Sequence, residues 1–268
     1  MAARCSTWAR RRRELPESRE NFPDGIDPAW RGARISRILI GKEPWETRRS
    51  TVHTKSGLPE HHPEEALLLD YAFGNAAEAV ALILAIHLVF CPRCRATVAA
   101  MESAASRLVE GLPSRPMREA ALDRLLLRLD EPEAVAEPDA ALGYPAPLAA
   151  YLGSGEQARP WRKLGRGIEQ LVLPTAPSAT RAMLLRVAAG RRMPKHTHRG
   201  NELTLVLQGD YSDQYGRYAQ GDFEAADGSL THSPAIGKDE PCVSLVVLDA
   251  PLRLAGALGR IINPFVQL

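Results

Sequence analysis

The 268-residue chain carries 34 Lys and Arg against 32 Asp and Glu, a net charge of +2, with 45% hydrophobic and 25% charged residues. That balance is ordinary for a globular protein, and nothing global in it points to nucleic acid. At about 150 residues per domain the length suggests two domains. Four cysteines are too few for a disulfide framework, so a reducing compartment is expected.

The charge is unevenly spread: residues 1–50 hold 12 Lys and Arg against 7 Asp and Glu. Residues 1–56 are rich in Arg, Pro and Gly without sustained periodicity, and read as a basic, disordered extension. The sharper alternative is an arm that touches nucleic acid or an acidic partner. The start, MAARCSTWARRRREL, has no apolar core after its basic residues, so no signal peptide is expected. The longest apolar run, AVALILAIHLVF over 79–90, has 12 residues where a membrane span needs about 20. A soluble, cytoplasmic protein with no membrane partner is expected.

Residues 57–131 read as a helical domain. Pro63 suits a first helical position before EEALLLDYAF, which Gly74 ends. A second helix is expected from Ala76 to Phe90, a third from Pro92 to Glu110, and a fourth over 115–130 on its spaced leucines. Four short helices leave a thin core, so a staple is expected. A proline-rich linker covers 132–143, and APLAAYLG is expected to pack on the next domain. From 144 to 268 the pattern changes. IEQLVLP, AMLLRVAAG, ELTLVLQG and CVSLVVLDAP are short apolar or alternating runs bounded by Gly, Pro and Asp, which predicts antiparallel strands of a sandwich or barrel.

Two constellations carry chemistry. In HLVFCPRC, His87 and Cys91 are i and i+4 on one helix face. Pro92 restarts the chain, so Cys94 falls in the first turn of the next helix, where backbone N–H groups favour a thiolate. Three N/S ligands then converge, and tetrahedral zinc needs a fourth, for which His61 and His62 are the nearby candidates. A bare CxxC would also read as redox-active. In GRRMPKHTHRGNELTLVLQG, His196 and His198 point to one side of a strand and Glu202 returns to that side. His232 is the histidine left in this half to complete three imidazoles and a carboxylate, a fit for a divalent ion.

These stretches resemble a known family. HHPEEALLLDYAFGNAAEAVALILAIHLVFCPRC is similar to the zinc-binding anti-sigma domain of the ChrR family, whose signature is an upstream histidine followed by HxxxCxxC. His62 stands 25 residues before His87, and the resemblance assigns the first ligand to His62, with His87, Cys91 and Cys94 as the others. Gly190, His196, His198, Glu202 and Gly209 match the first cupin motif, G(x)5HxH(x)3E(x)6G. Gly221 and His232 keep part of the second motif, although Ile236 stands where an asparagine is usual. The family joins these halves in this order. The resemblance implies a zinc-stapled four-helix anti-sigma domain followed by an antiparallel cupin barrel. It further implies Zn2+ in the first site and a second divalent metal, Zn2+ again, in the second. The partner it implies is an extracytoplasmic-function sigma factor, held inactive until a stress signal such as reactive oxygen reaches the cupin, with no direct nucleic-acid contact and no catalysis. The alternative is a cupin enzyme of dioxygenase or isomerase type with an accessory zinc domain. Cys242 has Ser244, not a second cysteine, two residues on, so a disulfide switch within the barrel is not expected.

Overall fold

The computed structural model describes residues 57–129, 144–152, 160–250 and 252–254. The basic extension over 1–56, with Cys5, and the linker over 132–143 lie outside the described residues. Helices come first and antiparallel strands second. The helices are α1 (Glu65–Ala72), α2 (Glu78–Phe90), α3 (Pro92–Glu110), α4 (Ala121–Leu129) and α5 (Ala146–Leu152). No helix among the described residues is long and apolar enough to cross a membrane.

Local chemistry sets most helix ends. Gly74, at φ +70°, adopts the left-handed conformation that stops α1 two residues after Ala72. Pro92 occupies the first turn of α3, and Cys91 caps it: the Cys91 sulfur accepts the Cys94 N–H. The Arg95 guanidinium donates to the Leu88 carbonyl and so satisfies the end of α2. Two starts differ from expectation. Pro63 lies outside α1, because Glu64 is extended (φ −62°, ψ 149°). α4 begins at Ala121 rather than 115, because Ala120 sits at φ +56°, which a right-handed helix cannot accommodate.

The strands are β1 (Arg162–Gly165), β2 (Ile168–Val172), β3 (Arg181–Val187), β4 (His196–His198), β5 (Glu202–Gln208), β6 (Asp210–Ser212), β7 (Arg217–Ala219), β8 (Phe223–Ala226), β9 (Thr231–His232), β10 (Ala235–Ile236), β11 (Cys242–Leu248) and β12 (Leu252–Leu254). Six of them form one sheet in the order β1-β2-β3-β11-β5-β8, and two three-stranded sheets, β10-β6-β7 and β12-β4-β9, complete the barrel. Every pairing is antiparallel.

The large sheet is covered on both faces. Leu203, Leu205, Leu207, Val243, Leu245 and Val247 face outward into the core that holds α2. Val206 and Cys242 alternate with them and face inward with Tyr211, Tyr218 and Ile236. This explains why all seven residues of β11 are buried. α2 is buried along nearly its whole length, from Ala79 to Leu88 except Ala81. α1 and α3, the short α5 and the sheet surround it. APLAAYLG thus packs on α2: Leu148 and Leu152 join the same core, and Tyr151 Oη donates to Glu78 Oε1 at 2.9 Å. Glu78 Oε2 takes the Ala176 N–H at 2.6 Å, tying the start of α2 to the β2–β3 loop.

Because helices and sheet share one core, they are expected to unfold together. Ile83→Ala, at a position with no exposed surface, should cost about 2–5 kcal/mol. Thermal scans should show a single transition shifted down equally for helix and strand signals.

Candidate metal centres

The first constellation closes at the base of α2. His62 Nδ1 lies 3.4 Å from Cys91 Sγ and 3.5 Å from Cys94 Sγ. An ion bound at about 2.05 Å from nitrogen and about 2.3 Å from sulfur in tetrahedral geometry separates such ligands by about 3.6 Å. His87 donates its Nδ1 proton to the Gly221 carbonyl at 2.9 Å. A carbonyl can only accept, so the Nε2 of neutral His87 carries a lone pair. That Nε2 is buried and has no partner. The four ligand atoms of His62, His87, Cys91 and Cys94 lie within 4.8 Å of one another. His61, the other candidate, is turned to the barrel: its Nε2 donates to the Arg217 carbonyl at 3.1 Å and its ring lies tilted against Tyr218, centroids 4.5 Å apart.

One expected detail changes. The helix-start N–H of Cys94 reaches the sulfur of Cys91, not its own. The Cys94 thiol is instead pushed up to about 12, by burial first and then by the Cys91 sulfur beside it. Burial, with Arg93 adding to it, holds His62 below the usual histidine range, and burial pushes His87 down to about 4. The pocket therefore holds two neutral imidazoles aimed at two sulfurs, and Arg93 alone does not offset the burial of a thiolate there, which a bound cation would compensate.

The second constellation lies inside the barrel. β4 presents His196 and His198, both buried, and β9 places His232 opposite His196. Glu202 opens β5. Each histidine is oriented from its Nδ1 side: His196 donates to the Pro194 carbonyl (2.8 Å), His198 to the Asp227 carbonyl (3.3 Å) and His232 to Asp213 Oδ2 (2.8 Å). All three Nε2 lone pairs then converge. His196 and His232 Nε2 are 3.0 Å apart, and His198 Nε2 is 3.3 Å from Glu202 Oε2. His198 Nε2 and Glu202 Oε2 are both buried without another hydrogen-bond partner, and the ligand-capable atoms of His196, His198 and His232 lie within 4.8 Å of one another, with Glu202 outside that group and reached through His198. Burial works against charge on both, yet each overcomes it through the other. His198 is held above the usual histidine range by Glu202, and Glu202 below the carboxylate range, first by His198. At His196 burial prevails, with His232 and His198 adding to it, and the group is held below the usual histidine range.

Sequence spacing did not point to the groups around this site. Asp213 orients His232. Glu224 Oε1 lies 3.8 Å from the same ring nitrogen, and Glu224 Oε2 accepts the Tyr211 hydroxyl at 2.5 Å. Burial pushes the Glu224 carboxyl up to about 7, against that hydrogen bond. Both carboxylates reach the site only through barrel closure. Ile236, where the motif usually has asparagine, fills the barrel core beside Val206 and Cys242.

The His87 shift fixes a pH dependence. The folded state holds His87 at about 4 against an ordinary 6.5, so the unfolded chain takes up its proton first. The stability contribution is full above 6.5 and is lost as pH falls from there to 4. Between pH 7 and pH 5 the chelated protein should lose about 2 kcal/mol through this residue alone. Urea titrations of chelated wild type and His87→Leu at both pH values check it: the variant should lack that increment.

Residues 155–251 match the ChrR cupin-like domain family. The chain is 39% identical over 214 residues to the anti-sigma-E factor ChrR of Cereibacter sphaeroides, covering 78% of this chain and 98% of that protein. It is also similar to the ChrR chain in a crystal structure of Rhodobacter sphaeroides SigE in complex with the anti-sigma ChrR. The TM-score there is 0.60 at 38% identity, over 70% of this chain and 98% of the other. The match runs along nearly the whole relative at 39% identity, and the chain belongs to the ChrR family of anti-sigma factors.

Proposed function

We propose that this protein binds an extracytoplasmic-function sigma factor through its helical half, keeps it from RNA polymerase, and releases it when the barrel receives a stress signal such as reactive oxygen. The observation that carries the reading is the similarity to the ChrR chain seen in complex with SigE, which spans both halves. A second observation says where a partner would sit. The leucines of α4 at i, i+3 and i+4, Leu122, Leu125 and Leu126, are each at least half exposed, as is Leu127. Leu108, Val109 and Leu112, at and beyond the end of α3, are also exposed. Such a stripe is unstable in water and fits a protein partner's apolar groove.

In this reading His62, His87, Cys91 and Cys94 hold Zn2+, and His196, His198, Glu202 and His232 hold a second divalent ion, also Zn2+. The first ion would staple a helical unit whose own core is small. A structural zinc site supplies on the order of 10–16 kcal/mol of apparent binding energy, which rivals a domain's whole stability. The second would sit where a chemical signal can alter its ligands. The division of labour between a sigma-binding helical unit over 57–131 and a sensing barrel over 144–268 belongs to the same proposal, as does a cytoplasmic setting. A metal-dependent enzyme remains the competing class. Redox-active iron in the barrel, with turnover of a small substrate, would replace the sensor reading.

Two tests follow. Co-expression with the cognate sigma factor should yield a stable complex that blocks transcription in vitro. Leu122→Asp with Leu126→Asp should weaken that complex more than 10-fold while leaving the circular dichroism of the free protein unchanged. An unaffected affinity would move the interface elsewhere.

The barrel's thiol offers the second test. Cys242 is buried with its Sγ 3.5 Å from Ser244 Oγ, and burial pushes its thiol up to about 11. A protonated, buried thiol is a poor target for oxidants. Cys242→Ser should keep the transcriptional response in a reporter strain, whereas Glu202→Ala should weaken it by disabling the metal site. Loss of response in Cys242→Ser with metal content intact would replace metal chemistry by thiol chemistry.

A further inference from the structure

The helical metal site is not built by helices alone. Its two histidines are positioned from outside by one turn of the barrel, between β7 and β8. Gly221 contributes its carbonyl to His87 Nδ1 at 2.9 Å, which fixes the tautomer that aims Nε2 at the cysteines. The next residue, Asp222, is 5% exposed, and its carboxylate grips the chain just before His62. Oδ1 accepts the N–H groups of Glu60 (2.7 Å) and His61 (2.9 Å), while Oδ2 accepts the Ala219 N–H at 2.8 Å. Phe223 then donates its N–H to the His61 carbonyl at 3.1 Å and sets its ring edge-on to His87.

The turn is itself held in place. Gly221 N–H donates to the Val206 carbonyl at 2.8 Å, and Val206 N–H to the Asp222 carbonyl at 3.1 Å, so β5 fixes its position. Gly221 has φ +89°, and a Cβ there would come within 2.8 Å of Pro59 Cγ and 2.9 Å of Phe90 Cβ. Only glycine lets the turn approach the end of α2 this closely.

The geometry points to Asp222 as a positioning residue for the His62–His87–Cys91–Cys94 site, so that the barrel supplies that site's outer shell and tight metal holding requires the barrel to stay docked. Barrel undocking and loosening of the helical site are then one event. Moving the β7–β8 turn removes the Gly221 carbonyl from His87 and the Asp222 carboxylate from the segment that leads into His62. The inference rests on the reading of those four residues as a metal site and adds a control on it from the other half of the chain.

The test uses the full-length protein loaded with Co2+, because thiolate-to-cobalt absorption arises only at the cysteine-containing site. The loss of that band on adding chelator is followed in wild type, Asp222→Ala and Asp222→Asn. Outer-shell partners typically change metal affinity by about 10–100-fold. Asp222→Ala should lose the band faster by that order, with circular dichroism unchanged. Asp222→Asn keeps Oδ1 for the Glu60 and His61 N–H groups but turns a donor toward the Ala219 N–H, and should fall between the two. If Asp222→Ala does not fold, a loss rate for Asp222→Asn equal to wild type overturns the inference. A folded Asp222→Ala within twofold of wild type does the same. No thiolate band in wild type overturns the metal reading itself and the inference with it, whereas a normal wild-type band with unresponsive variants overturns the inference alone.

Discussion

Burial of α2 on every side is the constraint from which the rest of the structure follows. Its large side chains, Leu82, Ile83, Leu84, Ile86 and Leu88, are almost wholly removed from water. At about 1.5–3 kcal/mol each, their transfer is on the order of 10 kcal/mol, comparable with the net stability of a domain. A helix with no polar face cannot end a domain surface. It needs α1, α3 and α5 around it and the large sheet against it. The sheet in turn needs cover, because β5 and β11 are buried on both faces. Each half therefore buries what the other exposes.

That shared core sets the position of both ligand clusters. The helical cluster forms where α2 ends, and its histidines meet the barrel's β7–β8 turn directly. The barrel cluster draws its histidines from β4 and β9 and Glu202 from β5, a strand whose outer side packs on α2. β5 illustrates the arrangement: Leu203 and Leu205 face the helices, while Glu202 faces His198. The exposed leucines of α4 lie outside this core altogether, which leaves them free for a partner.

The two sites also share a way of preparing ligands. In both, a histidine Nδ1 is spent on an acceptor, Gly221, Pro194 or Asp227 through the carbonyl and Asp213 through the carboxylate. The Nε2 lone pairs are thereby aimed into the two clusters, and burial holds His87 and His196 below the usual histidine range. With the metals of the proposed reading, this would lower the cost of ordering ligands at the moment of binding.

Much of this was legible in the sequence because it is written in short-range patterns. The i, i+4 spacing of His87 and Cys91, Pro92 at a helix start and the His196–His198–Glu202 alternation are local, and α3 runs from Pro92 to Glu110 as its residues predict. The glycines at 74 and 209 mark left-handed turns where the pattern breaks. Other features could not be read that way. Nothing near His61 and His62 says which one faces the cysteines; the barrel decides it by holding His61 through Arg217 and Tyr218, more than 150 residues away. α4 starts late because of one backbone angle at Ala120. Asp213, Glu224 and Asp222 carry no motif and gain their roles only when strands distant in sequence are brought together. The sequence determined which residue types could bind a metal and on what elements they ride, since periodicity and capping act within a few residues. Tertiary structure decided their outer shell and the apposition of the two halves, since those depend on contacts that chain proximity does not encode.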